Sequence, residues 1–485
     1  MSFLEKFLKN NQNKQKYSTI AFLASIDAIK EKVPQIANDI VQELKDQRSN
    51  LKLIASENFS SLEVQLAMGN LLTDKYSEGY VGHRFYAGCE NIDSIEKLAI
   101  DEAKKLFNAD HAYVQPHSGA DANLVAFWSI LVNRIQNKEI EKLNKKNLLQ
   151  LTESEYETIR QLLVNQKIMG MSLNSGGHLT HGYRLNVSSK MMRAYQYDVD
   201  PKTNLLDYKA LEKQVKEVKP LILLAGYSAY PRKIDFSILK EIADSVKATL
   251  MVDMAHFAGL VAGKEFTKNF DPVPYADIVT STTHKTLRGP RGGLILCKNE
   301  YKEVIDKGCP LILGGPMPHV MAAKAIAFKE ANTKEFQAYS SRIIKNAKAL
   351  AEELKELNVK ILTNGTDNHL IVVDVDSSFN LTGRQAESIL RTSHLTVNRN
   401  SIPNDKNGAW YTSGIRLGTP AITTLGMKEK EMKILASVIT DLLKNARAKD
   451  TKDTAVIDKN ILQKNQAIIK NLLNSFPLYP EIVID

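Results

Sequence analysis

The sequence predicts an α/β fold built on a mostly parallel sheet, followed by a smaller α+β domain. Between about residues 111 and 298, apolar runs with little polar alternation are separated by helical patterns. This arrangement is typical of strands that are buried on both faces of a parallel sheet. The predicted strands are His111–Val114, Leu221–Ala225, Thr249–Asp253, Ala276–Thr280 and Gly293–Cys297.

The region after about residue 318 has a different texture and predicts the smaller α+β domain. Its predicted elements are a long helix Ala338–Leu357, strands at His369–Val373 and Leu395–Asn398, and a helix Glu429–Asn445. A polar linker, residues 449–454, and one more helix follow. We therefore expect four parts: an N-terminal helical arm (1–80), a large α/β domain (81–325), the small domain (326–447) and a linker with a helical tail (448–485).

Residues 132–170 interrupt the alternation of strands and helices. The segment is helical in pattern and highly charged, and Thr152 and Glu155 have the spacing of a capping box. We interpret it as a helical hairpin inserted on the surface of the large domain. A solvated decoration is the usual meaning of such charge runs, and a contact between subunits is the alternative.

Composition and charge exclude several classes of protein. The chain is 43% hydrophobic and 25% charged, as soluble globular proteins are, and its net charge is +9. This mildly basic balance favours phosphorylated or carboxylated small molecules, while the absence of a dense basic run argues against nucleic-acid binding. Three cysteines without a CxxC pair predict a cytoplasmic protein, and no window is apolar enough for a membrane span.

Small residues follow the first predicted strand and open an apolar helix. This segment, Gln115–Asn123, leaves backbone N–H groups free at the helix N-terminus, where the helix dipole favours an anion. In an open parallel sheet, functional groups gather at the carboxyl ends of the strands. The pattern indicates a phosphate cradle around Ser118 and Gly119, although any helix capped by serine looks similar.

An aspartate and a lysine end two of the later strands. Asp253 closes the third predicted strand, and Lys285 follows the fourth. A buried carboxylate needs a cationic partner, whereas a lysine lies by default at the surface. Pyridoxal phosphate explains both residues together with the cradle. Its aldehyde forms a Schiff base with a lysine, its ring nitrogen stays protonated beside an aspartate, and its phosphate binds a helix N-terminus. We therefore predict that Lys285 is a covalent anchor.

Longer motifs, spread from about Gln42 to Leu443, carry a resemblance to serine hydroxymethyltransferase. They are LIASEN, DKYSEGYVGHRFYAGCE, QPHSGADAN, GGHLTHG, VDMAHFAGLVAG, THKTLRGPRGG, TDNHL, VNRNSIPND and SGIRLGTPA. The resemblance implies a fold-type-I pyridoxal-phosphate transferase (aspartate-aminotransferase-like), with a mostly parallel seven-stranded sheet in the large domain and a smaller α+β C-terminal domain. It also implies a homodimer with shared active sites, in many members paired into tetramers, in which residues 1–80 contact the partner.

The resemblance further implies the reaction. The serine hydroxymethyl carbon moves reversibly to tetrahydrofolate through an external aldimine of pyridoxal 5'-phosphate, which leaves glycine and methylene-tetrahydrofolate. This is a step of one-carbon metabolism and amino-acid biosynthesis. The catalytic residues that it implies are Lys285, Glu78, His178, Tyr86 and His284. The cofactor-binding residues that it implies are Ser118, Gly119, Ala120, His178, Ser228, Asp253, His256, His284, Lys285, Tyr76, Gly314 and Gly315.

The same motifs imply positions for the substrate and for folate. Arg416 resembles the bidentate clamp for the substrate carboxylate, a task that suits a planar guanidinium, and Ser56 and Tyr86 assist there. Glu78 would transfer a proton at the serine hydroxyl or at folate. Tyr76, Glu78 and the pair Gly314–Gly315 would act across the dimer interface. The folate-binding residues implied are Glu78, Leu173, Gly177, His178, Leu179 and Asn400. No metal site is expected.

This chain departs from the family pattern at several positions. Ala120 replaces a serine of the cradle and removes a hydroxyl, and Asp121 adds a negative charge beside it. Ser175 stands where a histidine is common, and the glycine-rich loop keeps only Gly314 and Gly315. We therefore expect a yellow holoenzyme that loses its cofactor more readily than other members do.

Two other enzyme classes and one non-enzymatic class compete with this interpretation. A folate-independent pyridoxal-phosphate aldolase acting on threonine or other β-hydroxy amino acids would keep Lys285, Asp253 and Arg416 but would not need Asn400. An aminotransferase would need a second pocket for alternating keto acids. A structural or RNA-binding protein would have no physical need for Lys285 or Asp253.

Overall fold

The computed structural model describes residues 2–10, 16–449 and 451–484. Contacts divide the chain into a larger unit, residues 71–341 and 401–405, and a smaller unit, residues 1–70, 342–400 and 406–485. The four-part division expected from the sequence is finer than this and stays a prediction. Asp450, in the predicted linker, lies outside the described residues.

Helices of very different length occur in both units. None of the described helices combines the length and the apolar character needed to cross a membrane. In chain order the helices are α1 (Phe3–Asn10), α2 (Tyr17–Lys32), α3 (Pro34–Ser49), α4 (Leu62–Leu66), α5 (Glu90–Phe107), α6 (Gly119–Leu131), α7 (Asn137–Lys142), α8 (Glu153–Val164), α9 (Ser188–Met191), α10 (Tyr208–Val218), α11 (Phe236–Ser245), α12 (Ala258–Ala262), α13 (Lys302–Asp306), α14 (Gly308–Leu311), α15 (Pro318–Ala331), α16 (Lys334–Glu356), α17 (Val375–Phe379), α18 (Gly383–Thr392), α19 (Gly408–Tyr411), α20 (Pro420–Thr424), α21 (Glu429–Lys444) and α22 (Lys459–Ser475).

The strands form one large sheet and several small ones. They are β1 (Leu51–Lys52), β2 (Gly79–Tyr80), β3 (His83–Arg84), β4 (His111–Tyr113), β5 (Lys167–Met171), β6 (Arg193–Tyr197), β7 (Ile222–Gly226), β8 (Thr249–Asp253), β9 (Ile278–Thr282), β10 (Gly293–Cys297), β11 (Leu370–Asp374), β12 (Leu395–Thr396), β13 (Asn398–Asn400), β14 (Gly414–Gly418), β15 (Arg447–Ala448) and β16 (Ala455–Val456).

A seven-stranded sheet forms the centre of the larger unit, in the order β4-β10-β9-β8-β7-β5-β6. Strands β5 to β9 pair in parallel, and β10 runs antiparallel between β9 and β4. Every residue of β4 and of β7 to β10 is buried, including the polar Thr280 and Ser281 of β9, as expected of strands covered on both faces of the sheet. The predicted α/β architecture with a mostly parallel seven-stranded sheet is confirmed.

The sequence pattern misses two of the seven strands, β5 and β6. Because β5 pairs with both β6 and β7, residues 167–170 belong to the central sheet, and the insertion predicted over 132–170 is wrong at that end. Its other end continues α6 through a π-helical turn, Val132–Gln136. The capping box between Thr152 and Glu155 is present at the start of α8.

The smaller unit contains an antiparallel sheet of order β11-β14-β13, α16 from Arg342 onward, and the helices α18 and α21. Its main core joins aliphatic side chains of these strands and helices, with Leu354, Ile371, Ile415 and Leu435 among those below 2% exposure. The mixture of helices and antiparallel strands is the α+β arrangement predicted for the C-terminal region.

A second apolar cluster of the smaller unit joins the N-terminal helices to the C-terminal segment. Leu23 and Leu44, from α2 and α3, are buried together with Leu478 and Ile482. Arg48, near the end of α3, donates hydrogen bonds to the carbonyls of Leu478 at 2.8 Å and of Ile482 at 2.9 Å. Residues more than 400 positions apart are therefore packed and hydrogen bonded together.

Candidate active site

The carboxyl ends of the central strands bring the predicted cofactor residues together. Gly226, at the end of β7, lies opposite Asp253 at the end of β8, and Asp253 lies opposite Thr280 of β9. Lys285 follows β9 after a further two residues. Because these strands are adjacent and parallel, the residues that follow them collect at one edge of the sheet.

A cavity of about 200 Å³ lies at this edge. Nine of the predicted cofactor residues line it, whereas Tyr76, Gly314 and Gly315 are not among its described lining residues. The sequence did not single out Tyr227, Ala255, Thr282 or Arg291, which also line it. The nine predicted residues are Ser118, Gly119, Ala120, His178, Ser228, Asp253, His256, His284 and Lys285.

Asp253 is a buried carboxylate that is held in its charged form. Asn123 donates to Oδ2 at 2.9 Å, His181 Nε2 lies 3.3 Å from the same oxygen, and the Ala255 N–H donates to Oδ1 at 3.0 Å. Burial alone would raise the pKa of Asp253, but His181, His178 and Asn123 together lower it well below its usual range. A permanent negative charge is therefore available to a cationic group in the cavity.

Two histidines of the cavity are neutral at physiological pH. Burial lowers the pKa of His178 to about 4 and that of His284 to about 3. His178 Nδ1 lies 2.8 Å from the Thr180 hydroxyl, which in turn accepts a hydrogen bond from Asn123 at 2.8 Å. His284 Nδ1 is buried without a hydrogen-bond partner among the described residues. This buried nitrogen is available to a ligand.

The first turn of α6 has the geometry of an anion site. Ser118 is its N-cap and accepts a hydrogen bond from the Asp121 N–H at 3.1 Å. A side chain at position 119 would lie 2.7 Å from Thr282 Cγ2, so glycine allows the turn to approach β9. The Ser118 hydroxyl also donates to the Asp121 carboxylate at 3.0 Å. The hydroxyl of Ser118 is therefore already engaged by Asp121, and the weaker cofactor retention expected above stays a prediction.

Tyr76, Glu78 and Tyr86 are brought together elsewhere in the larger unit. The rings of Tyr76 and Tyr86 pack edge to face with centroids 5.1 Å apart, and both are exposed. Partial desolvation and the negative charge of Glu78 raise the pKa of Tyr86. A Cβ added to Gly315 would lie 3.6 Å from the Tyr76 ring, so the Gly314–Gly315 loop adjoins this group.

A buried ion pair, not singled out in the sequence, supports the segment around Glu78. Arg84 pairs with Glu96 at 2.5 Å and donates to the carbonyls of Ser77 and Gly79, both at 3.0 Å. Burial raises the pKa of Glu96, and the charge and hydrogen bond of Arg84 oppose that rise. Because the two carbonyls flank Glu78 in the chain, Arg84 fixes the backbone that carries it.

The turn after β5 contains four of the predicted folate positions, among them His178, which lines the cavity. Leu173 is half-buried, Gly177 is buried and Leu179 is 45% exposed. A Cβ at Gly177 would lie 2.0 Å from the Met171 carbonyl oxygen, so only glycine fits. Ser175, which departs from the family pattern, donates to Asp198 at 2.8 Å and thus ties this turn to the segment after β6.

Arg416 lies on β14 of the smaller unit and is 8% exposed. Its Nε donates to Asn398 at 3.2 Å, and burial lowers its pKa to about 10. A guanidinium in so dry a position suits an anionic ligand. Ser56 is half-buried in the same unit, and Asn400 pairs with Gly414 in the sheet register.

Asp253 also belongs to a group with the composition of a metal site. Atoms of His178, His181 and Asp253 lie within 4.8 Å of one another, and this is the one such group of three among the described residues. The expectation of no metal stays a prediction.

The sheet, its strand-end lysine and aspartate, and the anion site on α6 define a fold-type-I pyridoxal-phosphate enzyme. The family model described as Serine hydroxymethyltransferase matches residues 29–142 and 150–439. The chain belongs to the serine hydroxymethyltransferase family.

Three proteins named serine hydroxymethyltransferase are similar over almost the whole chain. The protein of Treponema pallidum is 55% identical, over 99% of this chain and 85% of its own length. The protein of Salinispora tropica is 53% identical, over 95% of this chain and 98% of its own length. The protein of Chlamydia muridarum is 51% identical, over 100% of this chain and 99% of its own length. The similarity to the Chlamydia muridarum protein covers the whole chain, including residues 143–149, which the family model leaves unmatched.

Proposed function

We propose that this protein catalyses the reversible transfer of the serine hydroxymethyl carbon to tetrahydrofolate, with glycine and methylene-tetrahydrofolate as products. The observation that carries the proposal is the cavity in which Lys285, the charged Asp253 and the N-terminus of α6 meet. The similarity to serine hydroxymethyltransferases over nearly the full chain supports it.

The cavity fits pyridoxal phosphate on three counts. It has a lysine for the aldehyde, a helix N-terminus with a close-approach glycine for the phosphate, and a carboxylate that stays charged for the ring nitrogen. Lys285, Asp253, Ser118 and Gly119 would hold the cofactor. When bound, pyridoxal phosphate supplies an electron sink for the bond that breaks at the substrate Cα.

The protein's own residues orient the substrate and handle its protons. Arg416 would bind the substrate carboxylate through its guanidinium group, with Ser56 assisting at the same carboxylate. His178 and His284, both neutral, would present uncharged rings to the cofactor and the substrate, and a neutral imidazole is able to accept a proton. Glu78 would move a proton at the serine hydroxyl or at folate, with Tyr86 next to it.

We also propose the finer features that the family resemblance implies. Leu173, Gly177, Leu179 and Asn400 would contact folate. The protein would form a homodimer in which Tyr76, Glu78 and the Gly314–Gly315 loop complete the partner's cavity. The exposure of Tyr76 and Tyr86, and their absence from the lining of the cavity in their own chain, support this. The three cysteines are free, which supports a cytoplasmic location.

Serine cleavage by the purified protein, with and without tetrahydrofolate, tests the activity. We expect strong dependence on tetrahydrofolate, and indifference to it would select the aldolase instead. Borohydride reduction and peptide mapping test the anchor, with Lys298→Ala, a change of another lysine after the next strand, as the matched control. The Lys285→Ala variant should lose the covalent label, and a label retained by that variant would refute the assignment.

A further inference from the structure

Lys324 has no part in the chemistry described above, yet its side chain is buried. It lies on α15 with 1% exposure. Its Nζ donates to the carbonyls of Val114 at 2.6 Å, Pro116 at 2.9 Å and Gly293 at 2.8 Å. These bonds use all three protons of an ammonium group. Because lysine is almost never fully buried, its position requires an explanation.

The three carbonyls belong to the two segments that shape the anion site. Val114 and Pro116 lie between β4 and α6, and Gly293 begins β10. The N–H of Gly293 also donates to the Pro116 carbonyl at 2.8 Å. A Cβ at Gly293 would lie 2.2 Å from the carbonyl oxygen of Ser118. Lys324 therefore ties the start of β10 to the turn that opens α6.

The charge of Lys324 acts on the same region. Burial lowers the pKa of Lys324 to about 7, while the carboxylates of Glu96 and Asp121 raise it. The three carbonyl acceptors also favour the ammonium form, since a neutral amine has only two N–H donors. Burial is the largest cause of the lowered pKa of His284, and the charges of Arg291 and Lys285 come next. The charge of Lys324 makes a smaller contribution in the same direction.

We propose that Lys324 is a positioning residue for the cofactor phosphate. It fixes the turn that presents Ser118 and Gly119, and it adds a buried positive charge to the helix dipole at that end of α6. The charge also offsets the carboxylate of Asp121, which lies in the first turn of that helix. A neutral hydrogen-bond donor could bond to these carbonyls without the cost of burying a charge. The use of a lysine at this position therefore indicates that its positive charge has a role of its own. This inference rests on the proposed function, because it presupposes pyridoxal phosphate in the cavity.

The test compares pyridoxal phosphate with pyridoxal, which has the same ring and aldehyde but no phosphate. Both are titrated into the cofactor-free full chain, and binding is followed by the visible absorbance of the bound form. We expect Lys324→Met to weaken pyridoxal phosphate binding by about 10- to 100-fold, as the loss of one charge-assisted hydrogen bond does, and pyridoxal binding by less than about threefold. Lys329→Met, a change of an exposed lysine on the same helix, is the matched control and should alter neither.

Gly292→Ala is a second variant that keeps the charge. A Cβ there would lie 2.5 Å from Lys324 Cε and 3.0 Å from its Nζ, so it displaces the lysine. It should show the same phosphate-selective loss, and it decides the question if Lys324→Met does not fold. Equal losses for both ligands, or no loss, would overturn the proposal, because a merely structural lysine acts on both. A wild-type protein that binds neither ligand would refute the proposed function itself.

Discussion

Asn123→Leu should show how much the hydrogen bonds of Asn123 around Asp253 stabilise the fold. The two side chains have similar volume, but leucine cannot donate to Asp253 or Thr180, nor accept from Thr280, which now bonds to the amide oxygen at 2.6 Å. A hydrogen bond to a charged group contributes about 1.5–3 kcal/mol and a neutral one about 1 kcal/mol, so the total loss is about 4 kcal/mol. The folding equilibrium should fall by about three orders of magnitude.

The assay is urea unfolding followed by the fluorescence of Trp128, which lies on α6 with Asn123. A Trp410→Phe background removes the other tryptophan. Loss of the amide donor removes one of the groups that lower the pKa of Asp253, while His181 and His178 continue to lower it, so the measurement is made at pH 7.5, where the carboxylate is charged. Ser129→Ala is the control, because Ser129 is buried on the same helix and its hydroxyl has no partner among the described residues. A cost below about 1 kcal/mol would refute the reasoning.

Three further perturbations test other parts of the site. Gly293→Ala places a Cβ 2.2 Å from the Ser118 carbonyl oxygen and should lower the free energy of unfolding, measured by thermal unfolding, by about 1–3 kcal/mol. Gly69→Ala, whose Cβ would have no atom within 4 Å, is the control and should lower it far less. Equal losses in the two variants would contradict the packing argument. The pKa of His284 falls to about 3 in the folded protein, so its contribution to stability is present above about pH 6.5 and is lost as the pH falls toward 3. The free energy of unfolding of the cofactor-free His284→Asn variant should therefore fall less steeply between pH 7 and pH 5 than that of the wild type. The same change at the exposed His83 is the control and should leave the slope as in the wild type. An equal slope for His284→Asn and the wild type would refute this assignment. Glu78→Gln should lose folate-dependent serine cleavage while cofactor binding persists, and full retention of cleavage would exclude Glu78 from proton transfer.

The buried strands of the sheet could be predicted because their sequences permit little else. β7, β8 and β10 each contain at least three consecutive apolar residues, a pattern typical of strands covered on both faces. β5 has the sequence Lys-Ile-Met-Gly-Met, in which isoleucine is the one β-branched residue, so it lacks the composition typical of a strand. It also follows closely after a charged helix, which makes it look like part of that helical segment. β6 lies at the sheet edge, and its Arg193, Tyr195 and Gln196 are half-buried or exposed, which gives it no apolar run.

The site could be predicted where a residue of suitable chemistry directly follows a strand that is recognisable in the sequence. Asp253 and Lys285 each follow a recognisable strand, so the parallel topology itself brings them together. Lys324 could not be found in this way, because a lysine on a predicted helix suggests a solvated face until the fold surrounds it. His181 and Asn123 act on Asp253 across more than 70 positions of sequence, a relation that no local pattern contains.

The packing of α2 and α3 against Leu478 and Ile482 constrains how the protein is made. On the ribosome these helices emerge early, and their apolar faces are covered only in part, by nearby residues such as Phe59 and Leu62, until residues 478–482 have left the exit tunnel. The larger unit consists almost entirely of residues between 71 and 341, so it is able to fold while synthesis continues. The N-terminal helices reach their full burial only after that interval, which makes the final packing of Leu23 and Leu44 a late step of folding.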